Sequence, residues 1–145
     1  MIPGFETMVG LMLVLRQDQP SCNNQLVNEL NDAGFTGINN RIAWAIVNRE
    51  SNNQPGTVSS GAYGLFQLQA NVWSGASWWD WDTVLTREGN MSMAHELWSA
   101  SGWRPWGITP DGQGMDTRDY SNWSSTTQYS WIWEPYERYW RQYPC

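Results

Sequence analysis

The chain has 145 residues, 12 of them Trp, a formal charge of −6, and eight basic residues that are all Arg. That length suits one domain with a sizeable single core. An acidic chain lacks the basic surface that phosphate contacts require, so nucleic acid is excluded as a partner, and simple electrostatic adhesion to an anionic cell wall is excluded by the same sign.

The first 21 residues form an apolar segment and a linker. The run Met8 to Leu15, MVGLMLVL, has the length of a signal-peptide core, yet it is preceded by Glu6 without any Arg or Lys and followed by QPSC, which is unlike a cleavage site. Eight apolar residues cannot cross a bilayer, so no membrane span is expected. The run reads as a buried N-terminal helix or a contact with a partner, export being the lesser alternative, and Gln17 to Ser21 as a linker.

Two cysteines, Cys22 and Cys145, stand near the two ends. In a chain working outside a cytosol such a pair commonly forms one disulfide, here closing a loop of nearly the whole chain; the alternative is two unrelated thiols. No His or further Cys stands near either in sequence, so no metal site is expected, and no cofactor is implied.

Residues 22 to 33, CNNQLVNELNDA, carry Leu26, Val27, Leu30 and Ala33 on one helical face and stop at Gly34, which suits the residue after a helix end. A second helix follows from Asn39 or Asn40, either one a plausible N-cap, with Ile42, Ala43, Ile46 and Val47 on its apolar face. Glu50 continues that face: it lies three residues after Val47, four after Ile46 and seven after Ala43, whereas Asn48 and Arg49 point elsewhere. A carboxylate at the inner end of an apolar face is desolvated, which disfavours its charged form and raises its pKa, as a general acid requires. The plainer alternative is a helix-end Glu that caps or pairs with Arg49 or Arg41. The turn-rich SNNQPGT comes next, and then SSGAYGLFQLQ, whose Gly61, Ala62 and Gly64 allow close backbone approach.

The order Glu50-Ser51, an Asn/Pro-rich turn, Val58-Ser59 and Gly61-Ala62-Tyr63-Gly64-Leu65-Phe66-Gln67, with the later MAHELWSASGWRPW from Met93 to Trp106, resembles the lytic transglycosylase and goose-type lysozyme-like family in its phage or actinobacterial branch. The likeness covers about residues 23 to 107. It implies a mainly α, lysozyme-like fold with a small β or loop region carrying GAYGLFQ. It also implies peptidoglycan glycan strands as substrate, cleaved at the β-1,4 bond between N-acetylmuramic acid and N-acetylglucosamine, with Glu50 as catalytic acid. By the same carry-over Ser51, Ser59, Tyr63 and Gln67 line the sugar subsites or orient the N-acetyl group. Two departures stand out: the turn between Val58 and Gly61 is one residue shorter than the common pattern, and the AYNxG signature is missing. The setting implied is a muramidase or lytic transglycosylase, extracellular or carried on a virion, with attachment to a larger phage assembly as one form. The alternative is a non-catalytic peptidoglycan-binding or virion structural protein on the same fold.

After Gln67, the residues Leu68, Val72 and Trp73 suit a short helix, and Trp78, Trp79 and Trp81 form a cluster interrupted by Asp80 and Asp82. The cluster is either a sugar-stacking wall beside a second carboxylate, with Trp79 as a substrate contact, or a loop plugging the core whose Asp residues cap the next helix. Asn90 to Ala100 reads as a broadly apolar helix ending near Gly102. Its His95 is the sole histidine, assigned to packing or capping. The turn Trp103 to Trp106 is rigid because Pro105 fixes its φ, and Trp106 is placed with the substrate contacts. Residues 22–107 thus form the core, and 108–145 an aromatic-rich extension: a polar loop, a short strand at Tyr129, Trp131 and Trp133, then helical spacing at Tyr136, Tyr139, Trp140 and Tyr143. The tail is expected to wrap over the core through Cys145, the alternatives being a second sugar platform or an attachment surface.

Overall fold

The computed structural model describes residues 22–108 and 136–145. The apolar run at Met8, the polar loop and the expected strand at Tyr129 to Trp133 lie outside them. About half of the described residues are helical, and the remainder includes one small three-stranded antiparallel sheet. No helix among the described residues is long and apolar enough to cross a membrane.

Helix α1 (Gln25–Asp32) starts at Asn24, whose side chain accepts from the Val27 amide at 3.1 Å. It ends as the sequence suggests. Gly34 takes φ 105°, its amide donates to Asn31 O, and the next amide, Phe35 N, returns to Leu30 O at 2.9 Å, satisfying the last carbonyls of the helix. The expected stripe buries Leu26 and Leu30 fully, Val27 and Ala33 partly.

Helix α2 (Ile38–Ser51) is the central element, with Ile42, Ala43, Ala45, Ile46 and Val47 all buried. Its expected cap is not used. The N-cap residue is Gly37, with no side-chain cap bond, and both asparagines reach across the fold instead. Asn39 Oδ1 accepts from the Trp103 indole at 2.9 Å. Asn40 donates to the carbonyls of Val27 and Phe35 at 3.0 and 2.9 Å. The first satisfies the indole N–H of the buried Trp103, and the second ties the Phe35 carbonyl and α1 to α2. At the other end Asn52 and Asn53 both adopt positive φ, 52° and 62°, a conformation the short polar Asn tolerates better than most residues.

The chain then forms β1 (Val58–Ser59), β2 (Ala62–Tyr63) and β3 (Leu68–Gln69), in that spatial order. Ser60 and Gly61, with φ 53° and 81°, make the two-residue turn whose twist matches an antiparallel pair. The β2–β3 loop drives Leu65 and Phe66 into the core. After it come α3 (Ala70–Trp73), α4 (Arg87–Ser101) capped by Thr86, a 3-10 turn at Arg104–Trp106, and α5 (Glu137–Arg141).

Phe35 is the hub of the interior. Its ring stacks on Phe66 and on Trp103, both with centroids 5.5 Å away, and meets His95 and Trp98 edge-on, so the GAYGLFQ loop, α4 and the 3-10 turn close around one aromatic column. Full burial of a Phe is worth about 1.5–3 kcal/mol. His95 packs here, as its sequence setting suggests. Helix α5 lies on α2, contributing Tyr136 and Trp140 to the core. Arg41 secures it, donating to Trp140 O at 3.1 Å from Nε and 2.9 Å from Nη2, with its guanidinium 4.0 Å over the Trp140 ring.

Candidate active site

Helix α2 carries Glu50 to the point where its apolar face gives way to the turn. The residues beneath it on that face, Ala43, Ile46 and Val47, are wholly buried, yet the carboxylate itself meets polar partners. Its side chain is 20% exposed. The Tyr136 hydroxyl donates to Oε2 at 2.7 Å and lies 3.1 Å from Trp106 O. Arg49, expected to point away, folds back to bring Nη1 within 3.5 Å of Oε1. At that distance, and with Arg49 43% exposed, the contact is a screened surface pair worth little. Arg41, the other arginine named for it, is engaged with Trp140 O.

Tyr136 stays a donor throughout the working pH range. Burial first, then the neighbouring Glu50 carboxylate, push its phenol well above the ordinary value of 10.

The GAYGLFQ loop beside α2 is held by a residue outside the motif. Asn90, fully buried on α4, accepts from the Phe66 amide at 2.8 Å and donates to the carbonyls of Tyr63 and Val84, both at 2.9 Å. Gly64 is where this clasp demands glycine. A Cβ there would stand 2.2 Å from Asn90 Nδ2 and 2.6 Å from Val84 O, on a backbone with φ +79°. Gln67 serves the same loop, donating to Thr57 O at 3.1 Å and Gly64 O at 3.0 Å.

The expected subsite residues are not brought together at one place. Ser51 turns inward: it is buried and donates to Val47 O at 2.9 Å, a bond within its own helix that leaves no hydroxyl proton for a sugar. Gln67 likewise spends its amide on the loop. Trp106 sits next to Glu50 through the shared Tyr136 hydroxyl, and its own indole donates to Phe66 O at 3.0 Å. Ser59 is exposed on β1. Tyr63 and Trp79 join Trp81 in an edge-to-face group, Tyr63 to Trp81 at 5.4 Å and Trp79 to Trp81 at 5.2 Å. Trp81 is 56% exposed. Asp80 accepts from the Asp82 amide at 2.9 Å, capping its own turn; the cap of α4 is Thr86, not either Asp.

Tyr136 and Asn90 escaped the sequence reading. Asn90 had a signal, a polar residue four and seven before Ala94 and Leu97 on the apolar stripe. Tyr136 had only its helical spacing.

A cavity of about 450 Å³ opens between α1 and α4, lined by Glu29, Asp32, Arg87, Met91, His95 and Glu96 among others. None of its lining residues belongs to the Glu50 site. It adjoins a bidentate pair in which Arg87 binds Glu29 at 2.8–3.0 Å and Asn53 at 2.7 and 3.2 Å, tying α1, the turn after α2 and α4 together. Among the described residues no group of three or more His, Cys, Asp or Glu is placed to hold a metal ion.

The two cysteines are free thiols, so the expected disulfide is not present.

No family model, curated protein or solved structure is matched by this chain.

Proposed function

We propose that the chain cleaves peptidoglycan glycan strands, as a muramidase or lytic transglycosylase, with Glu50 as the acid and then the base. The observation that carries this reading is the carboxylate at the head of α2, one-fifth exposed, with Oε2 held at 2.7 Å by a buried tyrosine. A catalytic acid must be both reachable and fixed in one rotamer. Oε2 is engaged by Tyr136 and Oε1 faces Arg49 Nη1 at 3.5 Å, so the proton passes from Oε1 to the glycosidic oxygen, as the C1–O bond breaks, once the half-exposed Arg49 has swung away. Glu50 then takes a proton back from the nucleophile that arrives at C1. A water leaves a reducing end, and the sugar's own 6-hydroxyl leaves a 1,6-anhydro end. The motif resemblance supports the substrate class, and with it a setting outside the cell or on a virion.

A second reading uses the same fold for binding alone. The exposed Trp81 against Tyr63 and Trp79 favours it, because aromatic faces suit sugar rings whether or not turnover follows. Glu50→Gln decides between them. Clearing of peptidoglycan in a zymogram is expected to fall about 10²–10⁴-fold with the far-ultraviolet dichroism unchanged; equal clearing by the variant removes Glu50 from the chemistry.

A further inference from the structure

The two oxygens of Glu50 are held unequally. Oε2 accepts from the Tyr136 hydroxyl at 2.7 Å, whereas Oε1 faces the Arg49 guanidinium, with Nη1 at 3.5 Å, a separation longer than a charge-assisted hydrogen bond. Among the described residues Arg49 has no other ion-pair partner and makes no hydrogen bond. Its further contact is with the Tyr136 ring, whose centroid lies 6.0 Å from the guanidinium carbon, and the side chain is 43% exposed. Arg41 and Arg87 differ, each fixed by acceptors at 2.7–3.2 Å. An arginine binds a carboxylate best through two parallel N–H···O bonds, and Arg49 leaves most of its N–H donors unspent. Its exposed contact with Oε1 costs little to break. A carboxylate brought alongside therefore offers Arg49 a better partner than Oε1 does.

We propose that Arg49 determines specificity at this site: it binds a carboxylate carried by the sugar at the scissile bond and, in swinging to it, uncovers Glu50 Oε1. The inference rests on the glycan cleavage proposed above, and it narrows the substrate from amino-sugar polymers in general to those with an acidic substituent. In the alternating glycan the muramic residue supplies one. Its lactyl ether ends in a carboxylate when bare, and in a peptide with carboxylates of its own when substituted. A polymer of N-acetylglucosamine alone has neither, so Arg49 stays on Oε1 and the acid stays covered. Recognition and release of the acid are thus one movement of one side chain. The formal charge of −6 repels an anionic strand from the surface as a whole, so a cation beside the acid supplies the attraction locally.

Three glycans of equal length test this: an N-acetylglucosamine oligomer, the alternating glycan stripped of peptide, and the same glycan bearing its stem peptides. The parent chain is expected to cleave the carboxylate-bearing glycans with kcat/KM about tenfold or more above that for the neutral oligomer, as a charged hydrogen-bonded pair implies. The faster of the two identifies whether the lactyl or the peptide carboxylate is bound. In Arg49→Gln the rate on the carboxylate-bearing glycans should fall about tenfold, while the rate on the neutral oligomer holds or rises because Oε1 is no longer covered. A side chain that merely supported the fold would lower all three alike. A parent without the preference, a variant that keeps it, or an equal loss on every glycan would each overturn the proposal. Binding is measured apart from turnover, by calorimetry in Glu50→Gln. Affinity for a carboxylate-bearing glycan about tenfold above that for the neutral oligomer, lost on adding Arg49→Gln, is expected; equal affinities overturn the proposal even where clearing persists. That preference in binding, with no glycan cleaved by the parent, sinks the enzymatic reading and leaves Arg49 as the carboxylate contact.

Discussion

Replacing Asn90 by alanine probes how the motif loop is held. The side chain is wholly buried and makes three bonds, one accepted from Phe66 N at 2.8 Å and two donated to Tyr63 O and Val84 O at 2.9 Å. Each bond contributes about 1 kcal/mol net, and a buried partner left unsatisfied costs about 1–3 kcal/mol. Some of these groups will recover partial partners through a water entering the space, so a loss of about 3–5 kcal/mol is expected, a large share of the 5–15 kcal/mol typical of a domain. Urea unfolding followed by tryptophan fluorescence measures it. Ser92→Ala, on the exposed side of the same helix, should change stability by no more than about 0.5 kcal/mol. The Phe66 amide should also lose its exchange protection. A loss under about 1 kcal/mol, or an unaltered Phe66 amide, would show that the loop is held by its apolar contacts and not by this clasp.

Tyr136→Phe removes the hydroxyl at Glu50 while keeping the ring; turnover on peptidoglycan is expected to fall about tenfold, the equivalent of roughly 1.4 kcal/mol, with KM little changed, and an unaltered kcat refutes a positioning role. Trp81→Ala should cost no more than about 1 kcal/mol of stability yet weaken binding of glycan fragments roughly three- to tenfold by calorimetry; unchanged affinity removes this aromatic group from the binding surface. Hydrogen bonding from Arg87 is the main reason the Glu29 carboxyl sits below its ordinary 4.5. A depressed pKa stabilises the fold above 4.5 and loses that contribution as pH falls through the folded value. Melting midpoints of the parent chain should therefore drop more steeply below pH 4.5 than those of Glu29→Gln, and parallel curves would count against the pair.

Much of the scaffold is written locally. The spacing of Leu26 and Leu30, and of Ile42, Ala43, Ile46 and Val47, specifies two helices and their inner faces; Gly34 marks the stop of α1, and Gly61 and Gly64 mark the bends of the motif region. Glu50 itself was legible because it extends an apolar period. Its immediate surroundings were not, since burial of a helix face says nothing about which polar groups arrive from elsewhere. Asn39 and Asn40 illustrate the limit: local propensity makes them caps, but the demand of a buried Trp103 indole and of the Val27 and Phe35 carbonyls takes them for tertiary bonds. Ser51 and Gln67 show the same competition, their side chains satisfying nearby carbonyls before any ligand can.

From the sequence by itself came the helices, their buried stripes, the small β region and one conspicuous carboxylate. Tertiary structure alone decided that Tyr136, 86 residues further along, would hold that carboxylate, and that Asn90 would clasp the loop. The physical reason is range: periodicity records which way a side chain points along its own element, whereas contacts across long separations depend on how several buried faces pack at once.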